Sequence, residues 1–156
     1  RAALRPAMRS AQRHPMRLAE DLPDLTQDDI ARLVETFYRR IRVHPTLGPV
    51  FHAAIGEDEA HWEAHFDRLR RFWSAIMFRN GAYQGDPFSA HMRLPGLTPE
   101  MFGEWLALFD ATAAELFRPE VAEAFSERAH RIARSLRMGL FERLPAAPGR
   151  AGLQPG

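Results

Sequence analysis

The sequence contains no cysteine. Disulfides, iron–sulfur clusters, zinc–thiolate centres and cysteine nucleophiles are therefore excluded. Lysine is missing as well: all 21 basic residues are arginine, which we read as a compositional bias of the source rather than as chemistry. No apolar run approaches the roughly 20 residues that a membrane-spanning helix needs. No charged n-region, apolar h-region and cleavage site line up as a secretory signal, so the expected location is cytoplasmic, with no membrane partner. Neither an internal repeat nor the alternating pattern of strands occurs. A phosphate-cradling glycine loop, a Ser-His-Asp ordering and a paired-carboxylate site are also lacking.

What is present is a chain of 156 residues with 46% hydrophobic and 26% charged residues, enough for one domain with a single core. The net charge of +1 hides an asymmetry. Arg1, Arg5, Arg9, Arg13 and Arg17 stand in an opening stretch without acids, whereas the remainder sets sixteen arginines against twenty acids. A body at −4 is a poor nucleic-acid binder, because phosphate contacts supply most such affinity. The arginine-rich start has three readings: a disordered tail, a mitochondrial-type presequence, or extraneous sequence ahead of Met16. We favour a disordered or extraneous tail. The expected organisation is a basic extension over 1–24, a folded domain over 25–144 and a Pro/Gly/Ala-rich disordered tail over 145–156.

From Leu25 onward the periodicity is helical. Thr26 with Asp29 forms a capping-box-like start to a stripe of Ile30, Leu33, Val34, Phe37, Tyr38 and Ile41, ending near Val43-His44-Pro45. Gly48-Pro49 marks an irregular connection carrying Val50 and Phe51. A second helix, from about Asp58 to Arg79, carries Trp62, His65, Phe66, Leu69, Phe72, Trp73, Ile76 and Met77 and is closed by Asn80-Gly81. A third opens at Thr98-Pro99-Glu100 with Phe102, Trp105, Leu106, Phe109, Thr112 and Leu116. After Arg118-Pro119 a last helix carries Val121, Phe125, Ala129, Ile132, Leu136 and Leu140. The class is all-α.

Chemistry concentrates at few positions. Asp86 to Pro95 leaves room for barely two helical turns, with Asp86 as cap, Pro87 first and Leu94-Pro95 as stop. Phe88, His91 and Met92 then share a face. A lone imidazole on a short apolar helix can offer one axial ligand to a flat, apolar metal cofactor. Tyr38, His65 and Trp105 are polar-capable rings on faces expected to be buried, each needing a hydrogen-bond partner. Any one alone reads most simply as a satisfied core residue. His61 and His65, four apart, are a weak zinc pair, with His61 expected to face outward. Arg128, Arg131, Arg134 and Arg137 read as a solvated face, and His44, His52 and His130 have no identifiable partners.

Taken together, Phe37-Tyr38, Leu47-Gly48-Pro49-Val50-Phe51, the His65…Phe72-Trp73-Ser74 helix, Tyr83-Gln84-Gly85, His91-Met92-Arg93-Leu94-Pro95 and Phe102-Gly103-Glu104-Trp105-Leu106-Ala107-Leu108-Phe109 resemble a truncated haemoglobin of group III over Leu25 to Leu144. Order and spacing match throughout, and the glycine pairs of groups I and II are missing. The resemblance implies a two-over-two helical sandwich around haem b (iron protoporphyrin IX). It matches His91 to the proximal ligand of the haem iron, and Tyr38, His65 and Trp105 to the distal ligand-stabilising positions. Phe37, Phe51, Leu69, Trp73 and Phe102 match porphyrin-packing positions. Arg68, one turn from His65, is our own candidate for a haem propionate partner. The basic extension departs from the family pattern.

The function so implied is binding of O2 and other diatomic ligands (NO, CO) by a monomer, with oxygen transport, NO dioxygenation or peroxide reduction as activities. No flavin or nicotinamide domain is encoded, so turnover would need a separate reductase. The competing readings are a haem-free helical interaction or sensor module and a non-haem metal protein relying on His61.

Overall fold

The computed structural model describes residues 22, 24–81, 85, 91 and 94–141, and these form five helices and no strand. Helix α1 (Gln27–Arg42) begins at a reciprocal cap. The Asp29 N–H donates to Thr26 Oγ1 at 3.2 Å, and the Thr26 N–H donates to Asp29 Oδ2 at 3.0 Å, satisfying amides that a helix start leaves without partners. The stripe Ile30, Leu33, Val34, Phe37, Tyr38 and Ile41 is buried throughout, as its spacing predicts.

The stretch expected to be irregular is instead a helix, α2 (Leu47–Ile55). Thr46 makes no side-chain cap; His44 does that work, its Nδ1 accepting from the Thr46 and Leu47 N–H groups at 3.1 and 3.0 Å. Pro49 falls in the first turn, where a missing N–H breaks no intrahelical bond. Gly48 allows close packing rather than a break: a Cβ there would meet the Arg42 and Ile41 carbonyl oxygens at 2.9 and 3.2 Å.

Helix α3 (Glu59–Phe78) is capped by Asp58, whose side chain accepts from the Ala60 N–H at 2.9 Å. It stops at Arg79, which takes the left-handed conformation (φ 53°), one residue ahead of the expected Asn80-Gly81 closure. Asn80 nevertheless holds that end: its Nδ2 and Gln27 Nε2 each donate to the buried Ser74 hydroxyl at 2.8 Å. Helix α4 (Pro99–Leu116) opens with Pro99 behind the Thr98 cap, and α5 (Pro119–Phe141) follows the Arg118 joint.

Helices α1 and α3 make one packed pair and α4 and α5 the other, with α1 bridging to α4 and α2 touching α1, α3 and α4. Backbone contact between α3 and the α4–α5 pair is lacking among the described residues. That gap positions the site. No helix among the described residues is long and apolar enough to cross a membrane. Asp86, Pro87, Phe88 and Met92 lie outside the described residues, as do 83–84 and the ends of the chain at 1–21 and 142–156. His91 itself is helical, and the Leu94 N–H donates to its carbonyl at 3.1 Å.

Candidate functional site

The gap between α3 and the α4–α5 pair holds a cavity of about 190 Å³. One water needs only about 10–15 Å³, so this space is ligand-sized rather than a packing fault. α1 and α2 contribute Tyr38, Leu47 and Phe51; α3 contributes His65, Arg68, Leu69, Phe72 and Trp73. His91, Leu94 and Leu97 enter from the segment before α4. Met101, Phe102 and Trp105 of α4 and Ile132, Ala133 and Leu136 of α5 complete the wall. Among the described residues no acidic side chain lines it.

Nine of the ten residues singled out from the sequence thus meet around one space. Phe37 is the exception. It is buried in the core and touches the site's rings from behind, with edge-on contacts to Tyr38 at 4.9 Å and Trp105 at 5.2 Å between centroids. The family resemblance matched Phe37 to a porphyrin-packing position; the rotation of α1 presents only its neighbour Tyr38 to the cavity. Sequence reasoning missed the α5 contribution and Leu47, Met101, Leu94 and Leu97. Ile132 and Leu136 read as an ordinary helix stripe and Leu94 as a helix stop, while Met101 and Leu97 carry no local signal; only assembly brings them to one cavity.

The polar groups are held by neighbouring rings and by one another. His65 sits edge-on to Tyr38 at 5.2 Å and to Trp62 at 6.1 Å, and Trp62 is anchored by its indole N–H donating to the Gly56 carbonyl at 2.8 Å. His65 Nε2 is buried with no hydrogen-bond partner among the described residues. Burial, with the nearby Arg68 and His91 adding to it, brings the His65 pKa down to about 4, so the ring is neutral near pH 7. Burial pushes the Tyr38 hydroxyl well above the usual phenol range, while the Trp105 indole N–H, as a hydrogen-bond donor to it, acts in the opposite direction. Tyr38 therefore keeps its proton and remains a donor.

The histidines expected to lack partners have them. His44 caps α2. His52 Nε2 lies 3.2 Å from the Arg42 carbonyl and its ring 5.3 Å from that of Trp62. His130 Nε2 lies 2.7 Å from Asp110 Oδ2, joining α4 to α5. The partners of His52 and His130 are ten and twenty residues away, out of reach of local reading, whereas His44 bonds backbone amides only two and three residues on. Arg131, Arg134 and Arg137 are exposed as expected, but Arg128 is half-buried. His61 faces outward, and no group of three or more metal-binding side chains gathers among the described residues.

An all-α fold of paired helices with two imidazoles, two donor rings and a ligand-sized apolar cavity defines a globin-like protein. No protein-family model matches the chain. A group 3 truncated haemoglobin of Campylobacter jejuni is 32% identical over 118 residues, spanning 76% of this chain and 93% of that protein. The crystal structure of a group III truncated haemoglobin from Campylobacter jejuni superposes with a TM-score of 0.73 at 31% identity, covering 78% of this chain and 96% of that one. The chain belongs to the group III truncated haemoglobin family.

Proposed function

We propose that the cavity holds haem b, with His91 as the axial ligand of its iron, and that the protein binds O2 and other diatomic ligands, NO and CO among them. One observation carries this reading: a ligand-sized apolar cavity containing a buried imidazole nitrogen, His65 Nε2, without a partner among the described residues. Close-packed interiors leave few voids larger than a water, so a haem-free helical module would be expected to fill this space with side chains. The donor set also fits. A neutral imidazole suits iron, and a lining without carboxylates among the described residues suits a flat apolar macrocycle better than a bare hard cation. When bound, haem supplies an iron with an open coordination position and one-electron redox chemistry.

This chain's own residues then have distinct tasks. His91 presents one ring nitrogen to the metal, and its other N–H orients the ring. With haem bound, Tyr38 and Trp105 would offer O–H and N–H donors to a diatomic ligand, each worth about 1–2 kcal/mol. His65, neutral and unpaired, adds a third polar group that donates to the ligand or controls its entry. Phe51, Leu69, Trp73 and Phe102 pack the macrocycle and exclude water, with Phe37 supporting them from behind. Arg68, exposed at the cavity edge, reaches a propionate carboxylate. Such a pocket serves oxygen storage or transport, and with an external reductase it serves NO dioxygenation or peroxide reduction. We take the folded unit to begin at Leu22, which is buried in the core although it falls within the basic extension expected over 1–24.

The test is absorption spectroscopy of wild type and His91→Ala in ferric, ferrous and CO-bound forms. A stoichiometric Soret band whose ligation changes when His91 is removed supports the reading. Failure of the wild type to take up haem stoichiometrically overturns it.

A further inference from the structure

Phe109 of α4 touches none of the cavity, yet it lies between the two indoles that do. Its ring stacks on Trp105 with centroids 5.4 Å apart and planes at 17°, and on Trp73 at 5.3 Å and 22°. Trp73 belongs to α3 and Trp105 to α4, so the three-ring stack ties the two walls of the cavity together. Phe37 of α1 closes the arrangement, standing edge-on to Phe109 at 5.2 Å and 82° and to Trp105 at 5.2 Å and 84°. Both Phe109 and Phe37 are almost wholly buried. Offset stacking fixes a ring's plane, and an edge-on neighbour removes the remaining freedom to slide. For Trp105 the plane matters, because an indole has a single N–H and offers it in one direction only.

We propose that Phe109 is a positioning residue for Trp105: sandwiched between the Trp105 and Trp73 rings and braced by Phe37, it fixes the indole plane so that the N–H stays within reach of the Tyr38 hydroxyl and of a ligand beside it. Leucine at this position keeps much of the volume but has no flat face. The indole then rocks, and its N–H no longer has one heading. Phe125 provides the matched control. It is as deeply buried and meets Trp73 edge-on at 5.7 Å, but Trp105 is not among its ring contacts.

The proposal rests on Tyr38 and Trp105 being the ligand-facing donors, but its test does not depend on haem. The chain has three tryptophans, hence three indole N–H resonances, which can be assigned by single Trp→Phe variants. On the ¹⁵N-labelled full-length protein as purified, in the diamagnetic CO form if it carries haem, indole N–H exchange is measured for wild type, Phe109→Leu, Phe109→Met and Phe125→Leu. The expected result is Trp105 exchange faster by up to about tenfold in both Phe109 variants, the equivalent of one lost aromatic pair, with its resonance shifted. Trp62, bonded to the Gly56 carbonyl, should stay put, and Phe125→Leu should leave Trp105 unaltered. An unmoved Trp105 resonance in either folded Phe109 variant overturns the proposal, as does equal movement in Phe125→Leu. Should neither Phe109 variant fold, the wild type still decides: absence of cross-relaxation between the Phe109 and Trp105 rings overturns it. A protein that takes up no haem sinks the functional reading while leaving this question answerable.

Discussion

An indole N–H and a phenol O–H that share a desolvated wall are worth more than either in water, because the low local dielectric strengthens each hydrogen bond. Replacing Trp105 by Phe keeps the aromatic bulk and the stack on Phe109 and removes one donor. We expect O2 dissociation to quicken by about tenfold, corresponding to about 1.4 kcal/mol, as read by stopped-flow replacement with CO. An unchanged off-rate would take Trp105 out of ligand stabilisation. Individual side chains of this site were largely legible in the sequence, because histidine, tyrosine and tryptophan on a buried helical stripe are chemically conspicuous. The apolar remainder of the wall was not. Leu136 and Met101 look like any core residue until assembly shows that the side chains facing them are drawn back.

Elements are decided by their ends, and α2 shows how an end can hide. A proline and a glycine adjoin, but Pro49 sits where no hydrogen bond is asked of it, and Gly48 is selected by the two α1 carbonyls against it. Gly48→Ala should therefore destabilise the fold by about 1–3 kcal/mol through steric overlap, although alanine is the better helix former. An increase in stability in urea denaturation would show that the contact yields freely. His44→Ala should cost about 1 kcal/mol through loss of the cap on the Thr46 and Leu47 amides. It should also loosen Leu47 and Phe51 on the cavity wall, seen as faster amide exchange confined to α2.

At the scale of the molecule, three arginines tie separate elements together. Arg118 pairs with Asp24; Arg42, at the end of α1, pairs with Glu59 at the start of α3 at 2.6 Å; and Arg40 of α1 grips Glu115 of α4 at 2.8 Å. In each pair the guanidinium holds the carboxyl below its ordinary pKa. The folded state therefore binds these protons less readily than the unfolded chain. Their stabilisation is complete above the ordinary carboxyl range and fades as pH falls through the lowered values. All three are solvent-exposed pairs, so the effect is small and sensitive to salt. A variant combining Asp24→Asn, Glu59→Gln and Glu115→Gln should show a flatter fall in stability between about pH 5 and 3, measured by denaturant melts at low salt. An unchanged acid slope would show that these pairs do not survive in solution.

Helical spacing, capping residues and the lack of alternating runs were enough to determine an all-α chain, the whole buried stripe of α1 and part of those of α3, α4 and α5. Those signals act within a few residues, so the sequence carries them intact. Only the tertiary structure decided that α3 stands off from α4 and α5, that α5 lines the cavity, that Phe37 supports the wall rather than forming it, and that His52 and His130 have partners. Each of these depends on contacts between residues far apart along the chain, where helix rotation and spacing, rather than local pattern, set which atoms meet.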